Sequence, residues 1–298
     1  MKLTKLILTA VAFISLGAQA AWPEKEITLI VPYNAGGTTD RIARQIANEM
    51  EPILKKPIVV LDLPGGNTMI AIERMKHMDH NHTFMVTDPA IIAGPALIKK
   101  DEYTPNFHPV MMLGAGPVTI IANAQVPKDD FIAKVKRKES IQMATAGGAG
   151  PKWINQISPL KVDLIPYSGS NTEMTALITR QVDYGVISLV SAWSAIAQKQ
   201  VTPIMVGSTT RNPLLPNVPT YLELGFKGKP NVQWFGVFAL NTVNPEVERR
   251  FLNVLEYAAE TPSVQKFKED GMPIRKHTKK ETLDLVNKTK EEVADLLK

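Results

Sequence analysis

The sequence predicts an α/β protein with two lobes that are joined by crossing strands and separated by a cleft. Short β-rich runs alternate with segments of helical spacing, which is typical of a parallel sheet covered by helices. The alternation restarts after residue 122, and a strand at residues 232–240 returns toward the first set. The chain has 298 residues, of which 44% are hydrophobic, so it is long enough for two domains with real cores.

The first 20 residues are expected to be a secretory signal peptide and no part of the fold. Two lysines precede an apolar core at residues 6–16, and Ala18-Gln19-Ala20 has the small–x–small pattern of a cleavage site. After this segment, no apolar run approaches the roughly 20 residues that a membrane span requires. We therefore expect an exported protein that is not integral to a membrane.

The composition excludes several kinds of chemistry. Because the chain has no cysteine, it contains no disulfide, thiolate nucleophile, Cys-ligated zinc or iron–sulfur cluster. The formal net charge is +5, and loss of Lys2 and Lys5 with the signal peptide lowers it to +3. No basic stripe with interleaved aromatic residues occurs, so no nucleic-acid partner is expected. A slightly basic exported protein is compatible with an anionic small ligand.

The first lobe is predicted to contain parallel strands with helices between them. In the first predicted helix, Ile42, Ile46 and Met50 share one face, as expected of a helix packed on a sheet. The predicted strands are residues 27–31, 58–61 and 83–86, the helices are residues 38–50 and 67–77, and a further strand at 118–122 leads out of this lobe.

The second lobe is predicted to repeat the alternation before the chain returns. Its helices are expected at residues 131–138 and 172–179, with a short one after a glycine-rich loop, and its strands at 141–144, 162–165, 184–187 and 203–206. Helices at residues 246–260, 264–269 and 279–297 form the tail. The predicted division is a signal peptide at 1–20, a first lobe at 21–120 plus 234–298, and a second lobe at 121–233.

Three loops between a strand and a helix have the chemistry of an anion site. Glycines let the backbone approach a ligand closely, and free N–H groups at a helix start favour a negative group. An ordinary glycine turn explains the first loop equally well when that loop is taken alone. Three such loops divided between two lobes favour a binding cleft. They are residues 32–40, 145–151 and 166–171.

The sequence predicts neither catalytic residues nor a cofactor or metal site. It lacks a phosphate-binding P-loop, a dinucleotide-binding G-x-G-x-x-G after the first strand and a G-x-S-x-G nucleophile elbow. His77, His80 and His82 are close in sequence, but a polar turn explains them better than a metal site does. We interpret three aspartates near strand ends as helix caps or turn residues. They are Asp40, Asp88 and Asp183.

The run WPEKEITLIVPYNAGGTTDRIAR, residues 22–44, resembles the opening of a known receptor family. The family is the extracytoplasmic solute receptors of tripartite tricarboxylate transporters, also called Bug receptors. The resemblance continues over essentially the whole mature chain. Further matching stretches are residues 144–147, 165–170, 181–183, 215–220 and 234–236.

This resemblance implies a type II periplasmic binding fold, in which two lobes close on a ligand like a Venus flytrap. It also implies a periplasmic protein without enzymatic activity that captures a small organic carboxylate and delivers it to integral membrane subunits of the transporter. We expect a monomer. Two alternatives stay open at this stage: a receptor that supplies a signalling system, and an exported α/β enzyme that acts on an anionic substrate.

The expected ligand contacts are loop N–H groups and bridging waters. Pro151, Lys152 and Trp153 depart from the family pattern, which leaves the identity of the acid open. The first and third loops also offer Tyr33 and Tyr167, whose hydroxyls could bond a ligand. Carried over from the family, the contacts fall at Ala35, Gly36, Gly37 and Thr38, at Thr145, Ala146, Gly147 and Gly148, and at Ser168, Gly169 and Ser170.

Overall fold

The computed structural model describes residues 22–97, 106–146, 161–272 and 277–296, together with Ile154 and Ile274. Nine strands form one continuous hydrogen-bonded sheet within these ranges. The strands are β1 (Ile27–Val31), β2 (Ile58–Asp62), β3 (Thr83–Thr87), β4 (Phe107–Asn123), β5 (Ser140–Thr145), β6 (Lys161–Pro166), β7 (Tyr184–Ser188), β8 (Val201–Val206) and β9 (Val232–Leu240).

Helices connect most of these strands, as predicted. In the first of them, Ile42, Ile46 and Met50 are fully buried, which confirms the predicted apolar face. The described helices are α1 (Thr38–Leu54), α2 (Met69–Lys76), α3 (Ala90–Leu97), α4 (Asp130–Arg137), α5 (Ser170–Ile178), α6 (Leu189–Ala197), α7 (Pro245–Glu260), α8 (Pro262–Gln265) and α9 (Lys279–Leu296). None of the helices in the described ranges is long and apolar enough to cross a membrane.

One long strand belongs to both halves of the sheet. Residues Phe107 to Pro117 of β4 pair antiparallel with β9, which lies beside β3. From Val118 onward, β4 pairs with β7 on one side and β8 on the other. Strand pairing therefore changes at Pro117/Val118, at the start of the strand that was predicted at residues 118–122 to lead out of the first lobe. The predicted lobe boundaries at 120/121 and 233/234 stay a prediction.

Each half of the sheet has its own apolar core. In the first, the Phe84 ring of β3 stacks on the Phe251 ring of α7, with centroids 3.6 Å apart and both side chains fully buried. In the second, Phe131 of α4 packs against Tyr184 of β7, with ring centroids 5.5 Å apart. The two cores hold the helices on their sheet halves and leave the carboxyl ends of β1 and β6 to face each other across the cleft.

Three elements differ from the sequence prediction. Helices α3 and α6 were not predicted, because short, mostly apolar runs of eight and nine residues are difficult to assign by helical periodicity. Strand β4 begins at Phe107 rather than at residue 118, and two register shifts accommodate the glycine and proline residues of its first half. The short helix predicted after the glycine-rich loop lies outside the described residues, apart from helical Ile154.

Candidate functional site

The first and third predicted loops contact each other directly across the cleft. The backbone N–H of Asn34 donates to the Ser168 carbonyl at 3.3 Å, and the Asn34 side-chain amide donates to Ser168 Oγ at 2.5 Å. The Asn171 side chain donates in turn to the Ala35 carbonyl at 2.9 Å. Because these loops follow β1 and β6, the contact places the ends of two strands from different sheet halves at one site.

Backbone amides of the first loop are held by protein groups in this arrangement. The Gly36 N–H, at a positive φ of 81°, donates to the Asp40 carboxylate at 2.7 Å. The Gly37 N–H donates to the Asn34 carbonyl at 3.3 Å. The Thr38 N–H donates across the cleft to Ser170 Oγ at 3.1 Å. Of these three acceptors, only Ser170 Oγ belongs to the other lobe. A ligand that binds between the Thr38 N–H and the Ser170 hydroxyl would therefore contact both lobes.

Three helix N-termini meet beside this contact. Thr38 Oγ1 lies 2.6 Å from Ser191 Oγ, which lies 2.6 Å from Ser188 Oγ. Helices α1, α5 and α6 all begin here, and none has its first turn capped by the side chain of its N-cap residue. The first N–H groups of a helix carry a partial positive charge and need acceptors, so three such ends favour a negative group nearby.

A cavity lies between these helix starts and the sheet. It contains two carboxyl groups, and no lysine, arginine or histidine of the described chain lines it. A second cavity shares Tyr33 and Ala146 with it and also reaches Tyr167 and Ser168. The residues that line the first cavity are Tyr33, Gly37, Thr38, Thr39, Asp88, Val118, Ala146, Ser170, Glu173, Val186, Ile187, Ser188, Ser191, Gln233 and Phe235.

The first carboxyl group, Asp88, is buried and fully engaged. Its Oδ1 accepts from the Tyr33 hydroxyl and from the Ala90 N–H, both at 2.8 Å, and its Oδ2 accepts from the Gln233 side chain at 2.7 Å. Burial raises the pKa of Asp88 from 3.8 to about 6, although the three hydrogen bonds act in the opposite direction. Asp88 therefore anchors the cavity wall by linking Tyr33, α3 and β9.

The second carboxyl group, Glu173, is buried without comparable partners. It lies in the first turn of α5 with 0% of its surface exposed, and neither oxygen forms a hydrogen bond of ordinary geometry within the described structure. Burial raises the pKa of Glu173 well above its usual range, and the nearby Ala146 N–H only partly opposes this. Without a bound partner, burial therefore favours the neutral form of this group over the charged form.

Most of the predicted site residues are brought together. Tyr33, Gly37, Thr38, Ala146 and Ser170 line the first cavity, whereas Tyr167 and Ser168 line the second. The other predicted positions line neither cavity or cannot be placed. Ala35, Gly36, Thr145 and Gly169 are absent from both linings, and Gly147 and Gly148 lie outside the described residues.

Sequence reasoning missed several residues of the cavity. Asp88 was interpreted as a cap, which its bond from the Ala90 N–H supports, but its role in the cavity wall was not anticipated. No motif pointed to Glu173, Gln233 or the hydroxyl pair Ser188 and Ser191. The sequence did contain a feature that pointed to the serines, because Ser188 ends β7 immediately before α6. A third strand-to-helix junction of the second lobe could have been recognised there.

The histidine cluster contributes no metal site among the described residues. His82 lies 3.1 Å from Asp79 and 3.3 Å from Glu24, and His80 bonds to Thr242. Nowhere in the described ranges do three histidine, aspartate or glutamate side chains form a group that could hold a metal ion. The contacts of His80 and His82 agree with a structural role for this turn.

The chain is similar to known solute receptors over most of its length. MatC from Rhodopseudomonas palustris, solved with malate bound, aligns with a TM-score of 0.84 and 26% identity, covering 93% of this chain and 100% of MatC. The periplasmic binding protein BugD gives a TM-score of 0.82 and 26% identity, with 93% and 96% covered. A protein of Pseudomonas sp. (strain P51), from the tcbD–tcbE intergenic region, is 27% identical over 266 residues, with 85% and 79% covered.

These similarities confirm the predicted type II periplasmic binding fold and the resemblance of the chain to the receptor family. The family and its structural neighbours are solute-binding receptors and not enzymes, which agrees with the sequence-based expectation. A family model described as the tripartite tricarboxylate transporter family receptor matches residues 42–298. The chain therefore belongs to the receptor family of the tripartite tricarboxylate transporters.

Proposed function

We propose that this protein is a periplasmic receptor that captures a small organic carboxylate between its lobes. The observation that carries the proposal is the cavity at which three helices begin, none of them capped by the side chain of its own N-cap residue. Among the described residues that line this cavity, the groups that can attract an anion are N–H groups and hydroxyls, since none of these residues is a lysine or arginine. The relatives MatC, solved with malate, and BugD, a periplasmic binding protein, support this interpretation.

The mechanism follows from the position of the site between the sheet halves. The carboxylate binds near the Thr38 N–H and the Ser170 hydroxyl, which belong to different lobes and already lie 3.1 Å apart. Bending of β4 where its pairing changes, at Pro117/Val118, lets the lobes separate and close again. Binding exchanges contacts between the lobes for contacts to the ligand, and no covalent bond is formed or broken.

The closed complex is proposed to dock, as a monomer, on the integral membrane subunits of a tripartite tricarboxylate transporter. Family membership supports this partner. The signal peptide is proposed to be cleaved after residue 20 on export, and the mass of the protein recovered from the periplasm tests that step. Loss of uptake of the bound acid in cells that lack the receptor, restored by the intact gene, would support transport. Unchanged uptake would contradict it.

Calorimetry and thermal shift with a panel of mono-, di- and tricarboxylates and acidic amino acids test the capture of an acid directly. We expect one acid to bind 1:1 with micromolar or tighter affinity, equivalent to about 8 kcal/mol or more. The Gly37→Val variant serves as a control for the site, because its side chain would occupy the space between the lobes. Absence of both heat and thermal shift with every acid would refute the proposed function.

A further inference from the structure

The cavity has a charge imbalance that a simple carboxylate would make worse. Two carboxyl groups, Asp88 and Glu173, line it, and the described lining contains no cationic side chain. An added carboxylate would face both groups in a region largely withdrawn from water, where it would strongly repel either group in its ionised form. The helix N-termini can compensate for one negative group. Which ligand fits therefore depends on whether the protein also compensates the charges of Asp88 and Glu173.

Asp88 is already compensated by the protein. Tyr33, the Ala90 N–H and Gln233 occupy both of its oxygens at 2.7–2.8 Å. Such a carboxyl has little remaining capacity to accept a donor from a ligand. Its hydrogen bonds connect three chain segments, and this accounts for its burial without any ligand.

Glu173 is not compensated in the same way. It is fully buried and neither oxygen forms a hydrogen bond of ordinary geometry in the described structure, although the Ala146 N–H is nearby, and this costs free energy unless a better partner binds. The neighbouring strand makes room for it, because a Cβ on Gly185 of β7 would lie 3.1 Å from Glu173 Oε1. The side chain thus occupies a cleared space in the wall of the first cavity, and both of its oxygens lack a hydrogen-bond partner of ordinary geometry there.

We propose that the ligand is an organic acid that also carries an ammonium group, such as an amino acid, and that Glu173 receives the ammonium. The carboxylate of this ligand lies at the Thr38 and Ser170 contact, where the helix N-termini compensate its charge. The ammonium supplies the hydrogen-bond donors and the positive charge that Glu173 lacks. This inference rests on the proposed function, since it assumes that an acid binds in this cavity.

Calorimetry with matched pairs of acids tests the inference. Aspartate is compared with succinate, glutamate with glutarate, and alanine with propionate, so that each pair differs by the amino group. For at least one pair, the amino acid is expected to bind about tenfold or more tightly than its partner, the ratio expected for a hydrogen bond to a charged group. Glu173→Gln, which keeps the size of the side chain, is expected to abolish this preference while the deaminated acid binds at least as well as before.

The matched control is Glu260→Gln, at the exposed end of α7, which lines neither cavity and should leave the preference intact. Thermal melting of each variant establishes that it is folded. Equal affinity for both members of every pair overturns the inference, as does retention of the preference in Glu173→Gln. If no acid of either kind binds the wild type, the proposed function itself fails, so the two failures are distinguishable.

Discussion

Replacing Asp88 by asparagine should remove a large part of the pH dependence of folding stability between pH 4 and 7. The pKa of this carboxyl is about 6 in the folded protein, compared with 3.8 as the reference value. The folded state therefore holds the Asp88 proton more tightly than the unfolded state does. The resulting stabilisation is fully present below pH 3.8 and is lost as the pH rises through 6.

The magnitude follows from the difference of about 2 pKa units. At about 1.4 kcal/mol per unit, the full effect is roughly 3 kcal/mol, and the wild type should lose most of it, about 2.4 kcal/mol, relative to the variant between pH 4 and 7. No large correction for solvent screening applies, because Asp88 is only 5% exposed. Asparagine keeps the shape of the side chain, and Tyr33 and Gln233 can each reorient a hydroxyl or an amide toward it. Any packing cost of the substitution is independent of pH. It therefore does not affect how the stability difference between the two proteins changes with pH.

Urea denaturation of both proteins at pH 4, 5, 6 and 7, without ligand, gives the required comparison. Other titrating groups are common to both proteins and cancel in the difference between their free energies of unfolding. We expect that difference to shift progressively in favour of asparagine as the pH rises. Two parallel curves would refute the reasoning, because they would mean that Asp88 has the same proton affinity in the folded and unfolded chain.

Three further substitutions test the site and the core. In Gly37→Val, the new Cβ would lie 3.3 Å from the Asn34 carbonyl oxygen and 3.6 Å from Ser170 Oγ. Calorimetry should therefore show loss of ligand binding, while the variant still melts cooperatively. Unchanged affinity would exclude the first loop from the site. Ser170→Ala removes the acceptor of the Thr38 N–H and should weaken ligand binding by roughly twofold to tenfold in a titration, whereas unaltered binding would exclude this hydroxyl. Phe84→Ala removes the ring stacked on Phe251 and should cost about 3–5 kcal/mol in urea denaturation, and a loss near zero would contradict the packing described.

The parts of the fold that sequence patterns predicted are those governed by local chemistry. Strand β1 is a short β-rich run closed by Pro32, and α1 follows with an apolar face of period 3.6. Both lie at the predicted positions, as do β7 and β9. In each of these elements, the same few residues specify both the backbone conformation and the buried face. The local sequence is therefore sufficient to predict the element.

Elements whose conformation depends on distant partners could not be predicted in the same way. The first half of β4 contains Pro109, Gly114 and Gly116, which normally interrupt a strand. It is extended here because β9, more than 100 residues later, pairs with it through two register shifts. Helix α3 shows no apolar periodicity because α2, α9 and the first sheet half surround it with apolar side chains.

The same distinction applies to the two carboxyl groups of the cavity, with a consequence for selectivity. The bond from the Ala90 N–H to Asp88 is local, so this role could be predicted from the sequence. The other two partners of Asp88, Tyr33 and Gln233, lie 55 and 145 residues away and could not. Glu173, in a first helical turn, has the pattern of an ordinary exposed residue, and its burial depends on the space left by Gly185 on another element. Spacing alone therefore indicated the loops that we propose to bind an anion. Asp88 and Glu173 acquire their properties only through burial, so the selectivity that we propose for this receptor is tested by substituting Glu173 rather than by comparing its loops.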